Sequence, residues 1–183
     1  MLTAVIAQSK DLVSLDVGCN EIHCKGRLQI LLPFISAAPA LRTLRLSNNP
    51  LGVEGAKMLA SFIATNSTIT DLDVSFGAFT GVHYTVQGQK RGTYNSFGAL
   101  ALVEAMKVNQ SINTLNLGGN DLGNDVGLAV LDDLFKTNST LNTLEIRWNS
   151  FKEGVNQRFK SISDGQVAKS KGSNKGRARS VRI

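Results

Sequence analysis

Residues 41–69, LRTLRLSNNPLGVEGAKMLASFIATNSTI, constrain the fold more than any other stretch, because their pattern returns along most of the chain. Leu41, Leu44, Leu46 and Leu51 frame an LxxLxLxxNxL motif. Its centre, Thr43-Leu44-Arg45-Leu46-Ser47, alternates polar and apolar residues as a strand with one buried side does. After Gly52 the period lengthens. Ala56, Leu59, Phe62 and Ile63 recur at three- and four-residue steps, with Glu54, Lys57 and Ser61 on the other side, which predicts an amphipathic helix. One unit is therefore strand, turn, helix, turn. Alone it buries neither apolar side; stacked on its copies it builds a continuous core.

The copies start near 12, 41, 69, 112 and 141, at Leu12, Leu41, Ile69, Ile112 and Leu141, so the successive steps are 29, 28, 43 and 29 residues. Asn20, Asn49, Asn120 and Asn149 follow their strands at one motif position, where an amide side chain bonds the turning backbone of its own and the next coil. The pattern resembles the leucine-rich repeat family, in its long, ribonuclease-inhibitor-like subclass whose units pair a strand with a full α-helix. The resemblance covers about residues 2–162. It implies an α/β fold: a right-handed solenoid of about five repeats with a parallel β-sheet on the concave side and α-helices outside.

The chain starts inside a unit. Leu2–Ala7 aligns with Leu59–Ala64, so residues 1–11 read as a partial repeat, and upstream repeats or another subunit are expected to cover that end. The net charge of +6 is concentrated at the other end, where Lys169, Lys171, Lys175, Arg177, Arg179 and Arg182 occur without an acid. Residues 152–162 read as a C-terminal capping helix, since Glu153, Asn156 and Arg158 stand where the repeat helix has apolar or small residues, while Phe159 and Ile162 keep an apolar side. Residues 163–183, poor in large apolar side chains, read as a basic disordered tail.

Cys19 and Cys24 are the only cysteines and have no partners at metal-site spacing, so neither a disulfide framework, a metal site nor a cofactor is expected, and the compartment reads as reducing and cytoplasmic. No apolar run approaches the length of a membrane span. Asn66, Asn109 and Asn138 begin glycosylation sequons, yet all stand three residues before a unit's first apolar residue, which makes them turn residues at helix ends. A proline at 33 is expected to kink or shorten the helix around residues 27–37.

The third unit departs from the pattern. Gly77 stands in the ladder position, and the long step leaves an insertion over residues 79–95, FTGVHYTVQGQKRGTYN, which reads as a hairpin or ordered loop carrying Tyr84, Tyr94, Lys90 and Arg91. Loops held by a rigid scaffold commonly bind. On the concave side Asp16, Arg45 and Asp73 are expected to stack as an acid–base–acid row that pairs with itself, with Glu145 and Arg147 further along. Phe76 and Trp148 fall just after their strands, where aromatics anchor interfaces or pack against the insertion and the cap.

Motifs for metal hydrolysis, nucleophilic catalysis and phosphate binding are absent: there is no HExxH, GxSxG or GxxxxGK[ST], and Gly118–Gly123 has the wrong spacing for GxGxxG. A Ran-GTPase-activating protein is built on similar repeats, but none of its catalytic positions is matched here. The expected function is a non-catalytic protein-interaction scaffold in a larger assembly. It would use the concave face, the rim aromatics and the insertion. One alternative is polyanion binding, to RNA or an acidic protein, through the C-terminal basic residues. Another is cytoskeletal actin capping, since the tropomodulin C-terminal domain looks similar.

Overall fold

In the computed structural model the described residues are 9–85, 87–170 and 180–182, with 25 and 164–170 described for their backbone only. Strands β1 (Ser14–Asp16), β2 (Thr43–Arg45), β3 (Asp71–Asp73), β6 (Thr114–Asn116), β7 (Thr143–Glu145) and β8 (Ser180–Arg182) form one sheet in that order, every neighbouring pair parallel. The chain is thus a leucine-rich-repeat solenoid. In register, Leu15, Leu44, Leu72, Leu115, Leu144 and Val181 form one buried row, while the residues on either side of each face the concave surface.

Helices return the chain along the outside. They are α1 (Gln29–Ser36), α2 (Gly52–Thr65), α3 (Phe97–Val108), α4 (Asn124–Ala129) with its last turn α5 (Phe135–Thr137), and α6 (Glu153–Ser170). α1 is entered through a wide π-type turn, Cys24–Leu28, in which Leu28 N–H bonds His23 C=O at 3.2 Å, and it runs through Pro33 to end early at Ser36. A second π-type turn, Val130–Leu134, joins α4 to α5. Residues inserted by these wider turns let units of unequal sequence present their apolar sides to a common core.

Two rows of asparagines tie the coils. At the strand exits, Asn49 Oδ1 accepts Asn20 N–H and Ile22 N–H at 3.0 and 2.9 Å, while its Nδ2 donates to Val17 and Leu46 carbonyls, both at 2.9 Å. Asn149 repeats the arrangement toward Asn120 and Leu122. Asn20, in the first unit, is exposed, and its side-chain Nδ2 donates to the Gly18 carbonyl of its own turn. The second row stands at the helix ends. Asn109 Nδ2 donates to Ile63 and Asn66 carbonyls, and Asn138 Nδ2 to Met106 and Asn109 carbonyls, which leaves these buried sequon amides engaged in the protein interior.

The ladder skips the third unit for a steric reason. A Cβ at Gly77 would lie 2.5 Å from the ring of Phe79, which is fully buried. Phe79 therefore fills the space where a ladder asparagine would go, and Asn120 reaches across to Gly77 N–H at 2.8 Å. From Phe79 the insertion leaves the coil and forms the antiparallel pair β4 (His83–Tyr84) and β5 (Lys90–Arg91).

Two expectations for the C-terminal region are corrected. The helix foreseen over 152–162 continues to Ser170, and Ser180–Arg182, foreseen inside a disordered tail, pairs with β7 as the sixth strand. The physical reason is local: Ser180-Val181-Arg182 repeats the polar–aliphatic–polar order of Thr143-Leu144-Glu145, so Val181 closes the buried row. The N-terminal helix of the partial repeat and Lys171, Lys175, Arg177 and Arg179 lie outside the described residues.

Candidate protein interface on the solenoid rim

Cys19, Asn48, Phe76, Gly119 and Trp148 occupy one repeat position, directly after the strand, and all five have left-handed backbone, φ between 53° and 66°. Glycine and asparagine take this conformation readily; bulky side chains rarely do. Phe76 and Trp148 are held there nonetheless, 44% and 66% exposed. Gly119 lies between them with no side chain, and a Cβ on it would stand 2.3 Å from the Phe76 ring. The two rings thus meet over Gly119, centroids 5.7 Å apart and tilted by 33°.

Arg147 extends this platform, its guanidinium carbon 5.0 Å from the Trp148 centroid. The Arg147 Nε–H donates to Glu145 Oε1 at 2.8 Å, and this bond raises the guanidinium pKa above its ordinary value. Glu145, nearly buried, also accepts Arg147 N–H at 3.0 Å.

The insertion forms the far wall. Asp121, 4% exposed, gathers three donors: Lys90 Nζ at 2.9 Å, Ser150 Oγ at 2.5 Å and the Tyr84 hydroxyl at 3.3 Å. The hydrogen bond from Lys90 to Asp121 raises the lysine pKa. A separate anchor holds the base of the insertion. Tyr94 O–H donates to Asp125 at 2.5 Å and accepts Gly123 N–H at 3.1 Å. Burial first, then the bond to Asp125, pushes the Tyr94 pKa up to about 12. Burial works to raise the Asp125 pKa, yet the bonds from Ser96, Tyr94 and Val126 bring it below its ordinary value. Arg91 lies apart on the exposed strand, bonded to Gln89 at 2.6 Å. Between the platform and the hairpin runs an open groove of about 520 Å³ bordered by Phe76, Tyr84, Gly119, Trp148 and Ser150.

The charge row on the concave face behaves differently from the expectation. Asp16, Arg45 and Asp73 are in register, but among the described residues no ion pair joins them. The acids are used locally. Asp16 accepts Gly18 N–H at 2.9 Å, Asp73 accepts Ser75 N–H at 3.0 Å, and Asn116 and Glu145 do the same for Gly118 and Arg147. This last strand residue therefore caps the turn of its own unit, a task that needs an acceptor. Arg45 has only donors and remains exposed, lining the same concave groove as Arg147 and Arg182. Arg182 reaches this face through β8. Lys169 lies in the last turn of α6, in the part described for backbone only.

Sequence reasoning missed Asp121, Ser150 and Phe79. Asp121 follows the ladder asparagine, at the position of Glu21, Pro50, Ala78 and Ser150, and only the three-dimensional return of the insertion makes it a hub. Among the described residues, no cluster of histidine, cysteine or acidic side chains is placed to hold a metal, and no helix is long and apolar enough to cross a membrane.

The comparisons agree with this architecture. The family model described as leucine-rich repeat matches residues 38–60 and 108–130. Those two stretches fall on the second and fourth units, so the sequence carries leucine-rich repeats there. No curated protein matches its sequence significantly. Among solved structures it is similar to the actin-binding site 2 domain of leiomodin-1, at 15% identity and a TM-score of 0.65, over 92% of this chain and 89% of that one. It is likewise similar to the tropomodulin C-terminal domain of Caenorhabditis elegans, at 16% identity and a TM-score of 0.64, over 93% and 96% of the two chains. At these identities the likeness is one of fold.

Proposed function

We propose that the chain is a non-catalytic protein-interaction module. It grips an ordered protein surface with the platform of Phe76, Trp148 and Tyr84 and with the adjoining concave groove. The observation that carries this is the pair of large aromatic rings kept in solvent on backbone that disfavours them. Exposed aromatics centred on a rigid scaffold are the side chains from which interfaces draw most of their energy, and strain held in place by surrounding structure is concentrated at functional positions. The module fits the long, ribonuclease-inhibitor-like kind of repeat and a reducing cytoplasmic setting.

A more specific reading is actin binding. Its support is the superposition of more than nine-tenths of this chain on a leiomodin-1 domain that binds actin. The test is affinity capture from native lysate with the wild-type chain and with Phe76→Ala/Trp148→Asn, washed at low and high salt, alongside sedimentation with purified actin filaments. Proteins retained by wild type at high salt and lost from the double variant are the expected result; actin among them supports the specific reading. Equal retention by both chains removes the platform from the function. Retention that salt alone abolishes assigns binding to the C-terminal basic residues instead.

A further inference from the structure

We infer that the β7 edge of the sheet is a strand-accepting peptide site, filled in cis by Ser180–Arg182 and able to take the same segment from a second copy of the chain. Ser180-Val181-Arg182-Ile183 repeats the strand motif seen in Thr43-Leu44-Arg45-Leu46 and Thr143-Leu144-Glu145-Ile146. β2, β3, β6 and β7 each follow the preceding helix after five or six residues, whereas β8 follows α6 after nine, residues 171–179, a stretch with four basic residues and no large apolar one.

β8 also packs against α6, but what holds it along β7 is generic. Ser180 N–H donates to Asn142 C=O at 2.6 Å, Ile146 N–H donates to Arg182 C=O at 2.9 Å, and Val181, 5% exposed, covers Leu144. Ser180 and Arg182 point to solvent. Main-chain bonds give affinity to any extended segment, and the alternate side chains select among them. The site therefore favours an extended segment with a central aliphatic residue, because that residue completes the buried row while its two neighbours face solvent. A second copy supplies such a segment with its fit already demonstrated, and exchange of an identical element between copies needs no new contacts.

The test uses the full chain. In native-state hydrogen exchange the Ile146 amide, bonded to Arg182, is compared with the Leu117 amide, bonded to Glu145 one strand further in. An exchangeable strand predicts Ile146 exchanging about a hundredfold faster than Leu117; equal protection overturns the inference. A peptide of residues 174–183, added in excess, is expected to keep Ile146 protected while the chain's own Ser180 amide loses protection. Labelled, this peptide should bind Val181→Asp chain about tenfold tighter than wild type, and tagged Val181→Asp chain should retain wild-type chain. A peptide carrying the same substitution should bind neither. Indifference of Ser180 to the peptide sinks the proposal even where Val181→Asp fails to fold.

Discussion

At the scale of residues, backbone conformation and steric fit outweigh the repeat consensus. Trp148 sits in left-handed backbone that costs a bulky residue about 1–2 kcal/mol, and it recovers part of this from the Phe76 ring and the Arg147 guanidinium. Asparagine, found at the equivalent Asn48, tolerates the same φ. Trp148→Asn should therefore leave stability within about 1 kcal/mol of wild type in urea unfolding, and a larger loss would make Trp148 a structural residue. Gly77 gives the opposite lesson. The motif asks for asparagine there, yet Gly77→Asn would push a side chain into the Phe79 ring and should cost about 1–3 kcal/mol. A stabilised Gly77→Asn would show that the ring moves aside. The ladder positions at Asn49, Asn120 and Asn149 could be found from spacing because the amide's partners are backbone groups at fixed offsets. The tasks of Asp16 and Asp73 were not legible: capping a turn and pairing across strands demand the same residue types, and only atomic positions separate them.

At the scale of elements, the hairpin is the part whose order depends on side chains. Two strands of two residues do not stand alone in water, so β4 and β5 rely on the Asp121 and Tyr94 anchors. Asp121→Asn weakens the hold on Lys90 and frees the Lys90–Arg91 peptide region. Tryptic cleavage there should accelerate about tenfold while the helices stay folded by circular dichroism; unchanged cleavage would mean the hairpin is kept by other contacts. Tyr94 adds a pH dependence. Its pKa is raised from 10.0 to about 12 by burial and by Asp125, so the folded chain keeps a proton that the unfolded chain releases in that interval. The contribution is complete below pH 10.0 and is lost as pH rises through about 12. Tyrosinate absorbance should show a step near pH 12 that Tyr94→Phe removes. The existence of this hairpin could be inferred from the 43-residue step and its alternation, but its docking partner could not, because Asp121 lies a whole unit away in sequence.

At the scale of the molecule, a solenoid is a line of units, each supported by its neighbours. The repeat architecture was legible because one pattern had to recur for any unit to bury its apolar side. The sixth strand was hidden, although Ser180-Val181-Arg182-Ile183 matches the strand motif, since its surroundings have the composition of a disordered arm and the motif's first leucine is missing. Linear support makes failure directional. Phe159 on α6 is fully buried, its ring centroid 5.4 Å from Phe151 and 6.4 Å from Phe135, so it joins the cap to the fourth unit's outer turn. Outside that cluster, Arg158 clamps Asp132 with two bonds, which at this exposure add little. Phe159→Ala should cost about 3–5 kcal/mol at the C-terminal end. Because each coil contacts only its neighbours, the loss should appear first as rapid amide exchange in β7 and residues 124–137, while β2, β3 and α2 stay protected in mild denaturant. Uniform loss of protection in one step would show that the units fold as a single cooperative block, and the support they lend one another would then reach well beyond adjacent coils.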